Sequence, residues 1–406
     1  MHRVVQESGI NNLMNYGLYI HIPFCKRRCH YCDFNTYTGK EALIRDYFHA
    51  LINELRIVID NLTNIILTSI YFGGGTPSLI PIGEYETLIN FIKDNFYLTQ
   101  NCEISLEANP GTVSMSYLSG MREIGFNRIS FGVQSTNPMD LIRLDRIHDN
   151  EDTLDAIYLA RRAGFDNTNL DLIFNFPWQD LNSWRHSLTR AVDLAPEHFS
   201  LYSLIIEPGT PLHAWYQKGL IEPQNEDLEA DMYELAMETL ENAGYIHYEI
   251  SNWAKRDQVK DYQCRHNMQY WLNKPYIGVG AGAHGYLVNI RTENVAAIDP
   301  YIQRLNSNHY HDLIFPRMPA TISTLEVDKA TQMKDFMWLG LRLVDQGVSL
   351  ERFQNTYGVS ADEVFNAEIE ELCNLGLVMW GDAKHQSIKL TKKGVMLANQ
   401  AFMRFI

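Results

Sequence analysis

Six short apolar, β-type runs alternate with five amphipathic helical patterns in the first half of the chain. They lie at Tyr16–Ile22, Leu67–Phe72, Cys102–Glu107, Arg128–Val133, Asn167–Phe174 and His198–Leu204. In Ala42–Leu62, the residues Leu43, Tyr47, Leu51, Leu55 and Ile59 recur every four positions, which puts them on one helix face. Glu84–Phe96, Ser114–Ile124, Asp152–Ala163 and Leu181–Leu194 carry similar patterns. Strand–helix–strand succession builds parallel sheet. Six such units predict an α/β fold of the partial, TIM-type (βα)6 barrel kind; a closed eight-unit barrel would need two more after Leu204, and none is legible. In such folds chemistry collects where the C-terminal strand ends meet their loops. Here those ends carry Gly73-Gly74-Gly75-Thr76-Pro77, Glu107-Ala108-Asn109-Pro110, Gln134-Ser135, Asp171 and Glu207-Pro208-Gly209-Thr210.

From about Asn225 the pattern changes. A helix is expected over Glu226–Ala243, a short strand over Tyr245–Ser251, and a loop rich in His, Asn, Gly and aromatics over Asn252–Arg291. Pro316–Glu326 reads as a linker. Helices follow at Asp328–Val344, Leu350–Tyr357 and Ala361–Leu375, then a hairpin of Gly376–Trp380 with Gln386–Leu390, then a helix over Thr391–Phe405. Helices plus a small hairpin make a winged-helix-like α+β module. The expected division is residues 1–225, a connecting region 226–315, and a C-terminal domain 316–406.

Composition narrows the class. The 406 residues are 46% hydrophobic and 20% charged, an ordinary globular balance that excludes a disordered chain or a coiled-coil rod. A net charge of −15 opposes nucleic-acid binding, and the C-terminal helices offer no basic recognition surface. No apolar run reaches the length of a membrane helix, and Met1–Ser8 has no apolar signal region, so a cytoplasmic location is expected. The six cysteines do not suggest a disulfide framework: Cys25, Cys29 and Cys32 fall within eight residues, while Cys102, Cys264 and Cys373 are scattered. Cys102 and Cys373 read as core residues.

Cys25-Lys26-Arg27-Arg28-Cys29-His30-Tyr31-Cys32 has the spacing C-x3-C-x2-C and begins three residues after the first β-run. Three thiolates on one short loop converge on a soft metal centre. A [4Fe–4S] cluster held by three cysteines keeps one iron open for a ligand. The competing reading is a zinc-stabilised binding module with the site completed by His30, His21 or Asp33; zinc sites favour paired Cys-x2-Cys knuckles, and no second pair is present.

This loop, with Tyr31 before its third cysteine, resembles that of the radical S-adenosylmethionine (SAM) family. There the open iron chelates SAM, and reduction cleaves SAM to methionine and a 5′-deoxyadenosyl radical. Leu18–Cys25, Tyr71–Pro77, Ser130–Ser135, Asn169–Ile173 and Glu207–Thr210 resemble the oxygen-independent coproporphyrinogen III oxidases and their relatives over nearly the whole chain. The resemblance implies cluster ligation by Cys25, Cys29 and Cys32. It also implies SAM contacts from Tyr19, Tyr31, Gly74, Gly75, Thr76, Glu107, Gln134, Arg146 and Asp171, and a barrel of the radical SAM type. Two departures stand out. Asn175-Phe176-Pro177 replaces the usual Gly-Leu-Pro. Asp33 and Phe34 follow Cys32, where the oxidases carry C-x3-C-x2-C-x-C; those oxidases also have a longer segment before the loop, against 24 residues here.

His266-Asn267-Met268-Gln269-Tyr270-Trp271 matches H-N-x-x-Y-W, and Tyr248–Ala254 fits the same branch. This resembles the heme chaperones of the family, which bind heme and pass it to respiratory proteins at the membrane. The resemblance implies three cofactors: a [4Fe–4S] cluster, SAM and heme. It makes His266 a candidate axial ligand beside Tyr270 and Trp271, with His21, His247 and His284 as further imidazoles. It implies heme-accepting respiratory proteins as partners, with transient rather than spanning membrane association. Anaerobic decarboxylation of coproporphyrinogen III is the enzymatic alternative; no catalytic residue is assigned.

Overall fold

The computed structural model describes residues 4–5, 14–307, 313–381 and 386–406; most of Met1–Ser8 lies outside them. The chain forms two compact units, Met1–Ala236 with Pro275–Leu325, and Met237–Lys274 with Glu326–Ile406. The expected connecting region 226–315 is therefore shared between them, and helix Glu226–Asn242 carries the chain from the first to the second.

In the first unit the strands are β1 (Met14–Ile22), β2 (Ile65–Gly74), β3 (Tyr97–Ala108), β4 (Arg128–Gln134), β5 (Thr168–Phe174) and β6 (His198–Ser203). The intervening helices are α1 (Ile44–Asn61), α2 (Ile82–Asn95), α3 (Met115–Ile124), α4 (Asn150–Arg162) and α5 (Leu181–Asp193). The six strands lie side by side in chain order and all run parallel. This is the (βα)6 arrangement expected from the alternation.

Side chains alternate across a strand, and the register sorts them into two faces. Leu18, Ile20, Phe72, Leu106, Phe131, Leu172 and Leu201 are buried on one face. Helices cover that face: Tyr85 of α2 meets Phe72 edge-on with ring centroids 5.1 Å apart. The opposite face carries Tyr19 beside Tyr71, Glu107 beside Ser130, Gly132 beside Asp171, and Asp171 beside Ser200. The strands that read as continuous apolar runs thus present one polar face. In their C-terminal halves, burial is broken at Tyr19, Tyr71, Gly74, Glu107, Gly132, Gln134 and Asp171. These half-buried polar groups lie in register on one face of an otherwise buried sheet.

The expected loop Asn252–Arg291 is more ordered than its composition suggested. Arg265–Trp271 is helical, and Tyr276–Val279 pairs parallel with β1, followed by antiparallel strands His284–Leu287 and Ile290–Asn294. These strands are four or five residues long, too short to establish a period-2 signal. Likewise Pro316–Glu326 is not all linker, because Thr321–Glu326 forms a strand.

The helix face predicted in α1 holds at Tyr47, Leu51 and Leu55, which are fully buried, while Val58 replaces Ile59 on the buried side. The same face buries Glu54 completely. Its carboxylate accepts from Gly280 N at 2.9 Å, Asn294 Nδ2 at 2.7 Å and Tyr301 OH at 2.6 Å. Burial pushes its pKa up to about 7 against these three donors.

In the second unit, Ile246–Glu249 and Asn252–Ala254 form an antiparallel hairpin. Helices Lys329–Leu341, Leu350–Tyr357 and Asn366–Asn374 pack with a three-stranded antiparallel sheet of Val348–Ser349, Ser387–Leu390 and Val378–Trp380. This is the winged-helix-like α+β arrangement. The expected helix Ala361–Leu375 breaks at Phe365, and Thr391–Phe405 is two short helices, Lys392–Met396 and Ala398–Phe402. An aromatic chain, Phe336–Phe353–Phe365–Phe405, links these pieces edge-to-face. Cys102 is buried as expected, whereas Cys373 is only half-buried.

Candidate functional site: a cysteine loop above the polar sheet face

The cysteine loop follows β1 directly and is tied down at both ends. Cys25 N donates to Tyr37 O at 2.9 Å and Tyr37 N to Pro23 O at 2.7 Å. His30 N donates to Leu144 O at 3.2 Å, and Leu212 N to His30 O at 3.0 Å. Below it, Tyr31 packs on an apolar cluster of Leu144, Ile173, Phe176, Leu204 and Leu212. Cys25 is buried; Cys29 and Cys32 are half-buried.

The thiols sense one another. Burial raises the Cys25 pKa and pushes Cys32 up to about 11, with the neighbouring cysteines adding to both shifts. Among the described residues, however, no three His, Cys, Asp or Glu donors are drawn together at single-ion distances. The two histidines offered for completing a zinc site are engaged elsewhere, while Asp33 is exposed. His21 bonds Tyr19 OH and Asn35 O, both at 2.9 Å, while His30 Nδ1 bonds Arg143 O at 3.0 Å. Three thiols on one short loop, close enough to raise one another's pKa, are a donor set of the soft kind an iron–sulfur cluster takes.

The glycine run meets the loop closely. Gly75 N donates to Ile22 O and Thr76 N to Phe24 O, both at 2.8 Å. A Cβ on Gly75 would stand 2.6 Å from Phe24 O and 2.8 Å from Ile22 O, and Gly74 adopts φ +117° with the His21 ring over it. Glycine is required at both positions. Thr76 Oγ1 lies 3.4 Å from Cys25 Sγ.

On the polar face, Glu107 accepts from Tyr71 OH at 2.8 Å and Gly74 N at 3.0 Å. Burial pushes its pKa up to about 7, and the Asp171 carboxylate adds to the rise. Asp171 accepts from Ser130 OH at 3.0 Å and Asn169 Nδ2 at 2.7 Å; burial raises its pKa as well. Gln134 sits at φ 66° at the end of β4. Arg146 donates from Nη1 to Cys29 Sγ at 3.3 Å and from Nη2 to Gly132 O at 2.6 Å. Tyr19, Gly74, Gly75, Thr76, Glu107, Gln134, Arg146 and Asp171 thus join the cysteine loop at one end of the first unit. Acceptor carboxylates, backbone amides and a guanidinium suit a ligand carrying both an ammonium and a carboxylate.

Glu207–Thr210 contributes differently. Thr210 caps helix Pro211–Gln217, accepting from His213 N at 3.1 Å and donating to Glu207 O at 2.7 Å. Asn175, the first residue of Asn175-Phe176-Pro177, adopts φ 63° and donates to Glu229 at 3.0 Å. Asparagine tolerates this left-handed backbone. Lys26, Arg27 and Arg28 are exposed; Arg27 pairs with Asp145 at 2.8 Å.

The H-N-x-x-Y-W motif lies in the second unit on helix Arg265–Trp271. His266 is 1% exposed, and its Nε2 shares a hydrogen bond with Tyr270 OH at 2.9 Å. The Arg342 guanidinium lies 4.1 Å from the centre of the Trp271 ring. His247 stacks on Trp253 at 4.1 Å, and burial pushes its pKa down to about 4. His284, in the first unit, is exposed. Sequence reasoning missed two features here, buried Glu54 and the Arg146–Cys29 contact, because both arise between segments remote in sequence.

The radical SAM superfamily pattern matches residues 19–190, and the HemN C-terminal domain pattern residues 327–397. The heme chaperone HemW of Bacillus subtilis is 38% identical over 391 residues, covering 96% of this chain and 98% of that protein. The heme chaperone HemW of Lactococcus lactis is 34% identical over 389 residues, covering 96% of each. Among solved structures, the coproporphyrinogen III oxidase HemN of Escherichia coli, described as a radical SAM enzyme, superposes with a TM-score of 0.80 at 22% identity, covering 97% of this chain and 90% of that one; this likeness concerns the fold. No helix among the described residues is long and apolar enough to cross a membrane. With the cysteine loop, the glycine run and the parallel sheet in place, these full-length similarities show that the chain belongs to the HemW family of the radical SAM superfamily.

Proposed function

We propose that this chain is a cytoplasmic heme chaperone that carries a [4Fe–4S] cluster on Cys25, Cys29 and Cys32, binds SAM on the polar sheet face, and delivers heme to respiratory acceptor proteins. The observation that carries the reading is the full-length similarity to HemW heme chaperones, together with the site geometry. A bound cluster supplies an open iron for SAM and a one-electron redox couple.

The chain's own residues have distinct tasks. Gly74 and Gly75 let the glycine run seat directly against His21 and the Ile22 and Phe24 carbonyls, where a side chain would push it off the cysteine loop. Glu107 and Asp171, each held by two donors, present acceptors to an ammonium or a ribose diol. Tyr31 is held beside the thiols by its apolar bed. Tyr19 and Tyr71 lie next to each other with centroids 6.4 Å apart and form an aromatic wall. Gln134, Thr76 and Arg146 complete the set of SAM contacts. The missing fourth cysteine, with Phe34 where C-x3-C-x2-C-x-C would place it, sets the chain apart from the coproporphyrinogen oxidases.

For heme, His266 is the proposed axial ligand beside Tyr270 and Trp271. Its imidazole is buried and bonded to Tyr270, so ligation requires that bond to open. Heme titration tests this reading: wild type should develop a Soret band that weakens in His266→Ala. Equal spectra and affinities in the two proteins would remove His266 as the ligand, and no heme uptake by wild type would remove the chaperone reading.

A further inference from the structure

Resting on the reading that Cys29 is a cluster ligand, we propose that Arg146 sets how easily the cluster is reduced, through a charged N–H···S hydrogen bond to that cysteine. This role is separate from any contact with SAM.

The local backbone aims the side chain. Arg146 follows the short helix Pro138–Arg143, and its N–H returns to Leu141 O at 2.9 Å. Asp145 before it adopts φ 57°. Successive side chains therefore part: Asp145 reaches out to Arg27 at 2.8 Å, and Arg146 turns in to Cys29 at 3.3 Å. The second arm of the guanidinium is fixed on Gly132 O at 2.6 Å. A Cβ at Gly132 would stand 3.4 Å from Nη2 and 2.9 Å from Gln134 Nε2, so glycine permits the approach. Two attachment points hold the plane of the fork, which a lysine ammonium could not reproduce.

The half-buried guanidinium stays charged, because arginine does not give up its proton in proteins. Lys26, Arg27 and Arg28 are exposed, and water and salt screen them. Reduction by one electron adds negative charge to iron and sulfur. A fixed cation donating to a ligand sulfur stabilises the reduced form more than the oxidised one, which raises the potential.

The test uses cluster-reconstituted full-length protein without SAM, titrated with dithionite and followed by electron paramagnetic resonance, with iron and sulfide counted in each sample. Arg146→Gln should shift the reduction equilibrium about tenfold toward the oxidised form, about 59 mV for one electron. Arg146→Lys should fall between, since it keeps the charge and loses the fork. If Arg146→Gln fails to hold a cluster, wild type labelled with 15N-arginine should show hyperfine coupling of a guanidinium nitrogen to the reduced cluster, and its absence would overturn the proposal. Equal potentials in wild type and Arg146→Gln at full iron content would overturn the proposal alone. A wild-type chain that takes up no cluster would overturn the underlying reading as well.

Discussion

At the scale of single residues, the account depends on small groups in crowded places. Cys29→Ala should lose the cluster, read as loss of iron and sulfide per chain; full retention would contradict the ligand assignment. Gly75→Ala places a methyl against two backbone carbonyls that cannot move independently. It should cost about 1–3 kcal/mol in thermal or urea unfolding and abolish SAM binding by calorimetry. At His266 the sign is opposite: Tyr270→Phe removes a hydrogen-bond competitor worth about 1 kcal/mol. Heme should then bind about fivefold more tightly; weaker binding would mean that Tyr270 supports the bound state. The cysteine spacing, the glycines and the strand-end acids were legible because each is a local pattern. The Arg146–Cys29 contact was not, since residues 117 apart in sequence meet only after folding. Nor did the sequence reveal that His266 is buried against its own helix.

At the scale of elements, the polar sheet face is a product of register. Each strand read as an apolar run, because buried parallel strands are apolar on both faces over most of their length. The exceptions, Tyr19, Glu107 and Asp171, gain meaning only when neighbouring strands align them. The short strand Tyr276–Val279 was illegible for a related reason: its parallel pairing partner, β1, lies more than 250 residues earlier. Helix α1 is tied to this added sheet by Glu54, which holds Gly280, Asn294 and Tyr301. The folded-state pKa of Glu54, about 7, lies above its ordinary value of 4.5. The folded state therefore binds this proton more tightly than the unfolded state does. The stability it contributes is fully present below pH about 4.5, is lost as pH rises to about 7, and stays lost above. Glu107 acts in the same direction. Buried His148 and His247, held neutral, act in the opposite direction, so the test compares two proteins that share them: the Tm of Glu54→Gln relative to wild type should rise as pH goes from 5 to 7.5. A Tm difference that stays constant across this window would contradict the burial argument.

At the scale of the whole molecule, the alternation of strands and helices was enough to foresee the partial barrel, and the hairpin among helices to foresee the winged-helix-like module. What it could not foresee was that residues 275–325 return to the first unit while 237–274 join the second. Chain order within 226–315 carries no sign of that exchange, which is decided by which sheet edge and which helices remain to be covered. The consequence is a division of chemistry: the cysteine loop and the polar face belong to one unit, and the H-N-x-x-Y-W helix to the other. The most direct trial of the central claim is metal and sulfide analysis of protein purified without oxygen, alongside its absorption spectrum. The account predicts a brown protein with about four irons and four sulfides per chain, absent when Cys25, Cys29 and Cys32 are all replaced by alanine. A colourless protein carrying zinc, or iron retained by the triple variant, would contradict it.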